Sequence, residues 1–181
     1  MLEIRWHGRG GQGAVTSVEL LALAAIGEGK YAQGFPSFGP ERRGAPVAAF
    51  NRIDDKQIKV RSAIYDPDVV VVLDSSLVGL VNVTEGLKPD GTLVVNTVKL
   101  PEELKEELNF KGRVATVDAS KIAREELGVP ITNTTMLGAL IKVIGSVELD
   151  SVRGPTEHRF GRIAQKNLAA LKRAYEEVKI K

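Results

Sequence analysis

Not one of the 181 residues is a cysteine. Disulfides are therefore excluded, and so are thiolate ligands for zinc or an iron–sulfur cluster. Imidazole is supplied only by His7 and His158, too few for a histidine-rich metal site, so no metal is assigned to this chain. Aromatic residues make up 5%, and no basic run exceeds two residues. Single-stranded nucleic acid would find neither a stacking platform nor a charged track. A formal net charge of +2 argues for neither nucleic acid nor an anionic membrane as partner. No stretch approaches the ~18 consecutive apolar residues of a membrane span, and the chain enters a strand without an apolar leader. The expected location is cytoplasmic. No serine–histidine–carboxylate or cysteine–histidine set is visible, so no catalytic residue is assigned.

What is present is ordinary for a soluble α/β protein: 43% hydrophobic and 27% charged residues. The length suits one domain, 1–181, with a substantial core. Its most informative stretch is the start. Glu3-Ile4-Arg5-Trp6 reads as a strand, His7-Gly8-Arg9-Gly10-Gly11-Gln12-Gly13 as a glycine loop, and Ala14-Val15-Thr16-Ser17-Val18 as the opening of a helix. Gly8, Gly10 and Gly13 fall into G-x-G-x-x-G register. A loop of this kind, running into a helix N-terminus, turns N–H donors and the positive end of a dipole toward one spot. Its natural guest is a phosphate or carboxylate. On these residues alone, a ligand site and an unliganded tight turn stand about even.

Along the chain the spacing predicts a strand over Leu2–Trp6, a helix over Ala14–Ile26 and a short strand over Lys30–Gly34. Pro46–Ile53 and Gln57–Ser62, joined by Asp54-Asp55-Lys56, are expected to form an antiparallel hairpin. Pro46 lacks a donor, which places that strand's start at a sheet edge. The unbroken apolar run within Asp68–Asp74 reads as a strand covered on both faces, with Ser75-Ser76 capping a helix after it. Strands Gly91–Asn96 and Arg113–Val117 alternate with helices Pro101–Leu108 and Ala119–Leu127. Thr132-Asn133 caps a helix with a Met136 core face, Ser151–Pro155 is a connection, and Glu157–Lys179 is one amphipathic C-terminal helix. The fold class is therefore α/β: three layers, a mostly parallel sheet with flanking helices, and an inserted hairpin.

A second loop, Phe35-Pro36-Ser37-Phe38-Gly39-Pro40-Glu41-Arg42-Arg43-Gly44-Ala45-Pro46, holds an arginine pair between glycines and prolines. Guanidinium forks on a stiff loop suit a phosphate or carboxylate. Together, His-Gly-Arg-Gly-Gly-Gln-Gly and Gly-Pro-Glu-Arg-Arg-Gly resemble the γ subunit of 2-oxoacid:ferredoxin oxidoreductases, most closely the pyruvate type (pyruvate synthase). Tyr31-Ala32-Gln33, the Asn51–Lys56 segment and Asp66-Pro67-Asp68 extend the likeness over most of the chain. It implies a single pyruvate/ketoisovalerate oxidoreductase γ-type domain in a complex that oxidises a 2-oxoacid with coenzyme A. The products are acyl-CoA and carbon dioxide, and ferredoxin is reduced.

The resemblance places thiamine diphosphate, Mg and [4Fe-4S] clusters on partner α, β and δ subunits. It suggests that this chain helps receive coenzyme A at the active-site entrance. Consistent with that division, G-D-G followed by an asparagine pair, the expected magnesium–thiamine diphosphate pattern, is missing; Gly91 follows Pro89-Asp90 in a turn. The candidate binding residues are Gly8, Arg9, Gly10, Gly11, Gln12, Gly13, Arg42 and Arg43, with Asn133 and Thr134 as neighbours. His7 is expected to orient the loop. Pyruvate is the default 2-oxoacid, with a branched-chain 2-oxoacid as the other candidate.

Two other classes remain open. The glycine register also fits a free-standing NAD(P)-binding oxidoreductase, but a dinucleotide fingerprint wants an acid at the end of the second strand. Glu28 has the right count and precedes that strand instead. A purely structural assembly subunit would use the same loops to dock its neighbours.

Overall fold

The computed structural model describes residues 1–37 and 43–181. Strands β1 (Leu2–Arg9), β2 (Tyr31–Pro36), β3 (Pro46–Asp54), β4 (Val69–Val72), β5 (Thr92–Asn96), β6 (Arg113–Val117) and β7 (Lys179–Ile180) form one sheet, ordered β2-β3-β1-β4-β5-β6-β7. Neighbours β1, β4, β5 and β6 are parallel. Antiparallel β3 lies between β1 and β2, so β2 shares the direction of β1. Antiparallel β7 borders β6. The sheet is therefore mostly parallel, as the sequence implies.

The helices are α1 (Ala14–Gly27), α2 (Pro101–Leu108), α3 (Ala119–Leu127), α4 (Asn133–Ile144), α5 (Arg153–Phe160) and α6 (Ala164–Glu177). Alternation along the strands sends their apolar side chains to two cores. Ile4, Trp6, Val69, Val71 and Val94 meet α1 and α4 through Val18, Leu21, Met136 and Leu137. On the opposite face, Val70, Val72, Leu93 and Val95 meet Leu77, Val83 and Leu104. Four consecutive buried valines in β4 thus serve both layers. Among the described residues, no helix is long and apolar enough to cross a membrane.

Several elements depart from the sequence reading. The hairpin is β2–β3, and 57–62 forms no strand; its exposed Lys59, Val60 and Arg61 lack the half-buried alternation that a paired strand needs. Pro46 opens an internal strand, not an edge, because the first position of a strand tolerates the missing donor. Ser75–Leu77 is a single 3-10 turn, capped by Asp74 rather than by the serines. The C-terminal helix is broken. Gly161, at φ +51, separates α5 from α6, and α5 with the 3-10 turn before it occupies the expected connection.

Candidate functional site

β1 and β4 lie side by side and parallel. From β1 the chain leaves through α1 toward β2, whereas β4 leads away to β5. The carboxyl ends of β1 and β4 therefore flank the point where the connections diverge, the usual ligand crevice of an open α/β sheet. A polar cluster bridges the two ends. The Asp74 carboxylate accepts from Arg9 Nε at 3.1 Å and Gln12 Nε2 at 2.9 Å on one oxygen. The other oxygen accepts from the Ser76 amide at 3.0 Å and its hydroxyl at 2.6 Å. Burial opposes ionisation of Asp74, but the Ser76 and Gln12 hydrogen bonds and the Arg9 charge outweigh it, so its pKa lies below the usual carboxylate value.

Arg9 is correspondingly occupied. Besides Asp74, its Nη1 donates to the Gly44 carbonyl at 3.0 Å and its Nη2 to Ser76 Oγ at 2.8 Å. The Arg9 amide donates to Gln12 Oε1 at 2.7 Å. Gly10 pairs with the neighbouring segment through Gly10 N to Ala45 O at 2.9 Å and Gly44 N to Gly10 O at 3.0 Å. Arg43 bridges to Gly10 along the backbone and is exposed. Its partner in sequence, Arg42, lies outside the described residues.

The glycines divide by role. Gly8 lies inside β1, where a Cβ would come 3.1 Å from Leu73 Cδ1. Gln12 N donates to Arg9 O at 2.9 Å. Gly11, at φ +93, occupies the third position of that turn, which demands positive φ, and the space above its Cα is open. Gly13, at φ +81, starts α1 without a side-chain cap. A Cβ there would lie 2.5 Å from Asn133 Nδ2.

That contact joins two helix N-termini. Asn133 opens α4; Thr132 before it makes no side-chain cap bond, and Asn133 Oδ1 accepts from the Thr134 amide at 2.8 Å. Ser17 Oγ donates to the Asn133 carbonyl at 3.1 Å, and Thr132 Oγ1 donates to Leu73 O at 3.3 Å. Neither helix has an acidic residue in its first turn. Arg159 Nη2 lies 3.4 Å from Thr16 Oγ1. The result is a glycine pole where the N-terminal ends of two helix dipoles meet, with Arg159 against the first turn of α1 and the open Gly11 turn alongside.

The structure thus brings Gly10, Gly11, Gln12, Gly13, Arg9, Arg43 and Asn133 together. Thr134 turns inward: it is fully buried and donates to Asn167 Oδ1 at 2.7 Å. His7 accepts from Arg5 Nε at 3.0 Å on Nε2. Burial, with the Arg5 charge second, lowers its pKa to about 4, so the imidazole is neutral at neutral pH. Glu28 stands just past the opposite end of α1, about 20 Å along its axis from the glycine turn. There it accepts from the Glu148 amide at 2.7 Å and pairs with Lys30. No ribose at the turn could reach it. Sequence reasoning missed Asp74 and Ser76, although a lone carboxylate closing an all-valine parallel strand is a usable signal.

Comparison with known proteins places this geometry in a family. The model of the pyruvate ferredoxin/flavodoxin oxidoreductase family matches residues 3–177. A common γ subunit of pyruvate/ketoisovalerate oxidoreductases from Pyrococcus abyssi is 55% identical, covering 99% of this chain and 98% of the relative. The pyruvate synthase subunit PorC of Methanocaldococcus jannaschii is 51% identical, over 98% and 97% of the two chains. The crystal structure of the pyruvate oxidoreductase subunit PorC of Thermotoga maritima superposes with a TM-score of 0.89 at 47% identity, covering 99% of this chain and 97% of that one. A 2-oxoglutarate:ferredoxin oxidoreductase from Magnetococcus marinus, solved with 2-oxoglutarate, coenzyme A and succinyl-CoA bound, shares the fold (TM-score 0.74, 20% identity). It does so over 97% of this chain but only 30% of its own. On these grounds the chain belongs to the pyruvate ferredoxin/flavodoxin oxidoreductase family.

Proposed function

We propose that this chain is the γ subunit of a 2-oxoacid:ferredoxin oxidoreductase, with pyruvate as the 2-oxoacid, and that its glycine pole receives the phosphates of coenzyme A. The observation that carries the second part is the meeting of the acid-free N-termini of α1 and α4 at Gly13 and Asn133, beside the open Gly11 turn and the Arg43 backbone. A polyanion finds backbone donors, two dipoles and a guanidinium there. Partner α, β and δ subunits supply thiamine diphosphate, Mg and iron–sulfur clusters, which carry the carbon–carbon cleavage and the electrons. A chain with no cysteine offers no thiolate to a cluster, so it is inert alone.

Within that reaction this chain's work is positioning. Asp74 holds Arg9 and Gln12, and Arg9 ties the Gly44 carbonyl to the end of β1. The Gly11 turn and the Arg43 backbone are thereby fixed relative to each other, ready for a ligand that must arrive once decarboxylation is under way. Losing one charge-assisted hydrogen bond of ~1.5–3 kcal/mol corresponds to roughly ten- to hundredfold in affinity. The Arg43→Ala complex is expected to raise the KM for coenzyme A by that factor and leave the pyruvate KM unchanged. An equal rise in both constants would move Arg43 to the 2-oxoacid side. No change in either would end the coenzyme A assignment.

A further inference from the structure

Beside the glycine pole, with which it shares Asn133, the structure holds a surface whose exposed apolar side chains the coenzyme A reading does not use. Val129, Ile131 and Ile163 are 45%, 48% and 52% exposed. With Leu127 and half-buried Phe160 they surround a pocket of about 120 Å3. Single exposed aliphatic residues are common on any surface, but a contiguous group around a concavity marks an interaction site.

The polar surroundings say what fits. Lys166 lines the pocket, and exposed Arg159 and Arg162 flank its Phe160 and Ile163 in sequence; none of the three forms an ion pair with a carboxylate among the described residues. A second copy of this chain docked through the same surface would bring these cations against their own images, because a two-fold contact is self-complementary. A nucleotide base would want hydrogen-bonding groups on the pocket wall. The lining amides have their oxygens engaged, Asn167 with Thr134 and Asn133 Oδ1 with the Thr134 amide, and Asn167 Nδ2 donates to the Ile163 carbonyl. The wall therefore offers a base the donors Asn133 Nδ2 and Lys166 but no uncommitted amide oxygen. An apolar centre within a charged rim is the anatomy of a protein interface.

We infer that this surface, formed by the 128–132 connection and the α5–α6 junction, docks a partner subunit through an apolar side chain flanked by carboxylates. The inference rests on the chain acting as a subunit, but not on where coenzyme A binds. Its test uses the assembled complex, with Ile163→Glu and Arg162→Glu introduced separately at these exposed positions. Ile163→Glu should weaken retention of the γ chain on dilution by roughly tenfold or more, as expected at the centre of an interface. Arg162→Glu should slow association and flatten its dependence on salt. Both isolated variants should unfold at the wild-type temperature, and amide exchange over 128–132 should slow on assembly.

The inference is overturned if both variants assemble like wild type, or if exchange over 128–132 is unchanged in the complex. It is equally overturned if the isolated wild-type chain dimerises and Ile163→Glu abolishes the dimer. A variant that assembles normally but raises the coenzyme A KM would make the pocket a ligand subsite instead. Failure of the coenzyme A reading would show separately, as an unchanged KM in an intact Arg43→Ala complex.

Discussion

His7 in β1 and Asp74 just past β4 are kept in opposite charge states, neutral and ionised, and pH separates them. His7 stays neutral because burial strips solvent from the charged form and, secondarily, because protonation would place a cation against Arg5. Its pKa is about 4 against an ordinary 6.5, so between those values the unfolded chain binds more protons than the folded one. Stability therefore falls as pH drops from about 6.5 to 4, by roughly 3 kcal/mol, and this contribution is flat below that window. The Asp74 pKa is shifted downward, so its contribution is present above the unfolded carboxylate value, near ~3.9. It disappears only as pH falls further, through the folded value. Urea denaturation of the isolated chain at stepped pH should show the first loss in wild type and a flattened slope from pH 6.5 to 4 in His7→Gln. An unchanged slope would mean that His7 is hydrated and free to ionise.

At the scale of elements, α4 is the keystone, being buried from Asn133 through Ile141. It lies parallel to α6 with a constant offset of thirty-three residues: Thr134 to Asn167, Gly138 to Leu171, and Lys142 Nζ 4.7 Å from the Tyr175 ring centroid. Close approach depends on Gly138, where a Cβ would fall 1.9 Å from the Leu171 carbonyl oxygen. Gly138→Ala must push α6 outward. It should cost about 1–3 kcal/mol, as overpacking of a filled core does, even though alanine is the better helix former. Chemical denaturation reads this directly, and a stabilised variant would show that the two helices slide apart freely. The same pair shows why part of the site was illegible in sequence. Thr134 looks like an accessible cap residue, and only the return of α6 thirty-three positions later turns its hydroxyl into a buried donor. Strands β4, β5 and β6 were readable because burial on both faces forces continuous apolar runs. The hairpin was misread because Gln57–Ser62 lies next to β3 in sequence, whereas the true partner, β2, precedes it across the second glycine loop. The break at Gly161 was hidden within a stretch whose apolar spacing runs straight through it. The glycine loop itself was legible, since positive φ at Gly11 and Gly13 leaves a visible requirement for glycine. Its tether, Asp74, was not, because it lies over sixty residues away along the chain.

At the scale of the whole molecule, a formal charge of +2 conceals an uneven distribution. Carboxylates gather on α2 and the end of α3, through Glu102, Glu103, Glu106, Glu125 and Glu126, whereas Arg153, Arg159, Arg162 and Lys166 line α5 and the start of α6. The basic side adjoins the glycine pole through the contact of Arg159 with Thr16. On the coenzyme A reading, a polyanion reaching that pole in the assembled enzyme is drawn by Arg43 and the helix termini, because Arg159, Arg162 and Lys166 are the cations assigned to the partner's carboxylates. Screening acts over about 8 Å at physiological ionic strength, so added salt weakens this attraction before it disturbs any buried contact. The KM of the assembled enzyme for coenzyme A should therefore climb with salt, while that for pyruvate, carrying a single charge, should climb less. In Arg43→Ala the starting KM is higher, but the curve should be shallower, since one of the charges being screened is already gone. Steady-state kinetics at three salt concentrations separates this from a merely structural loss. If wild type and variant rise in parallel, Arg43 contributes shape to the loop and no charge to the ligand.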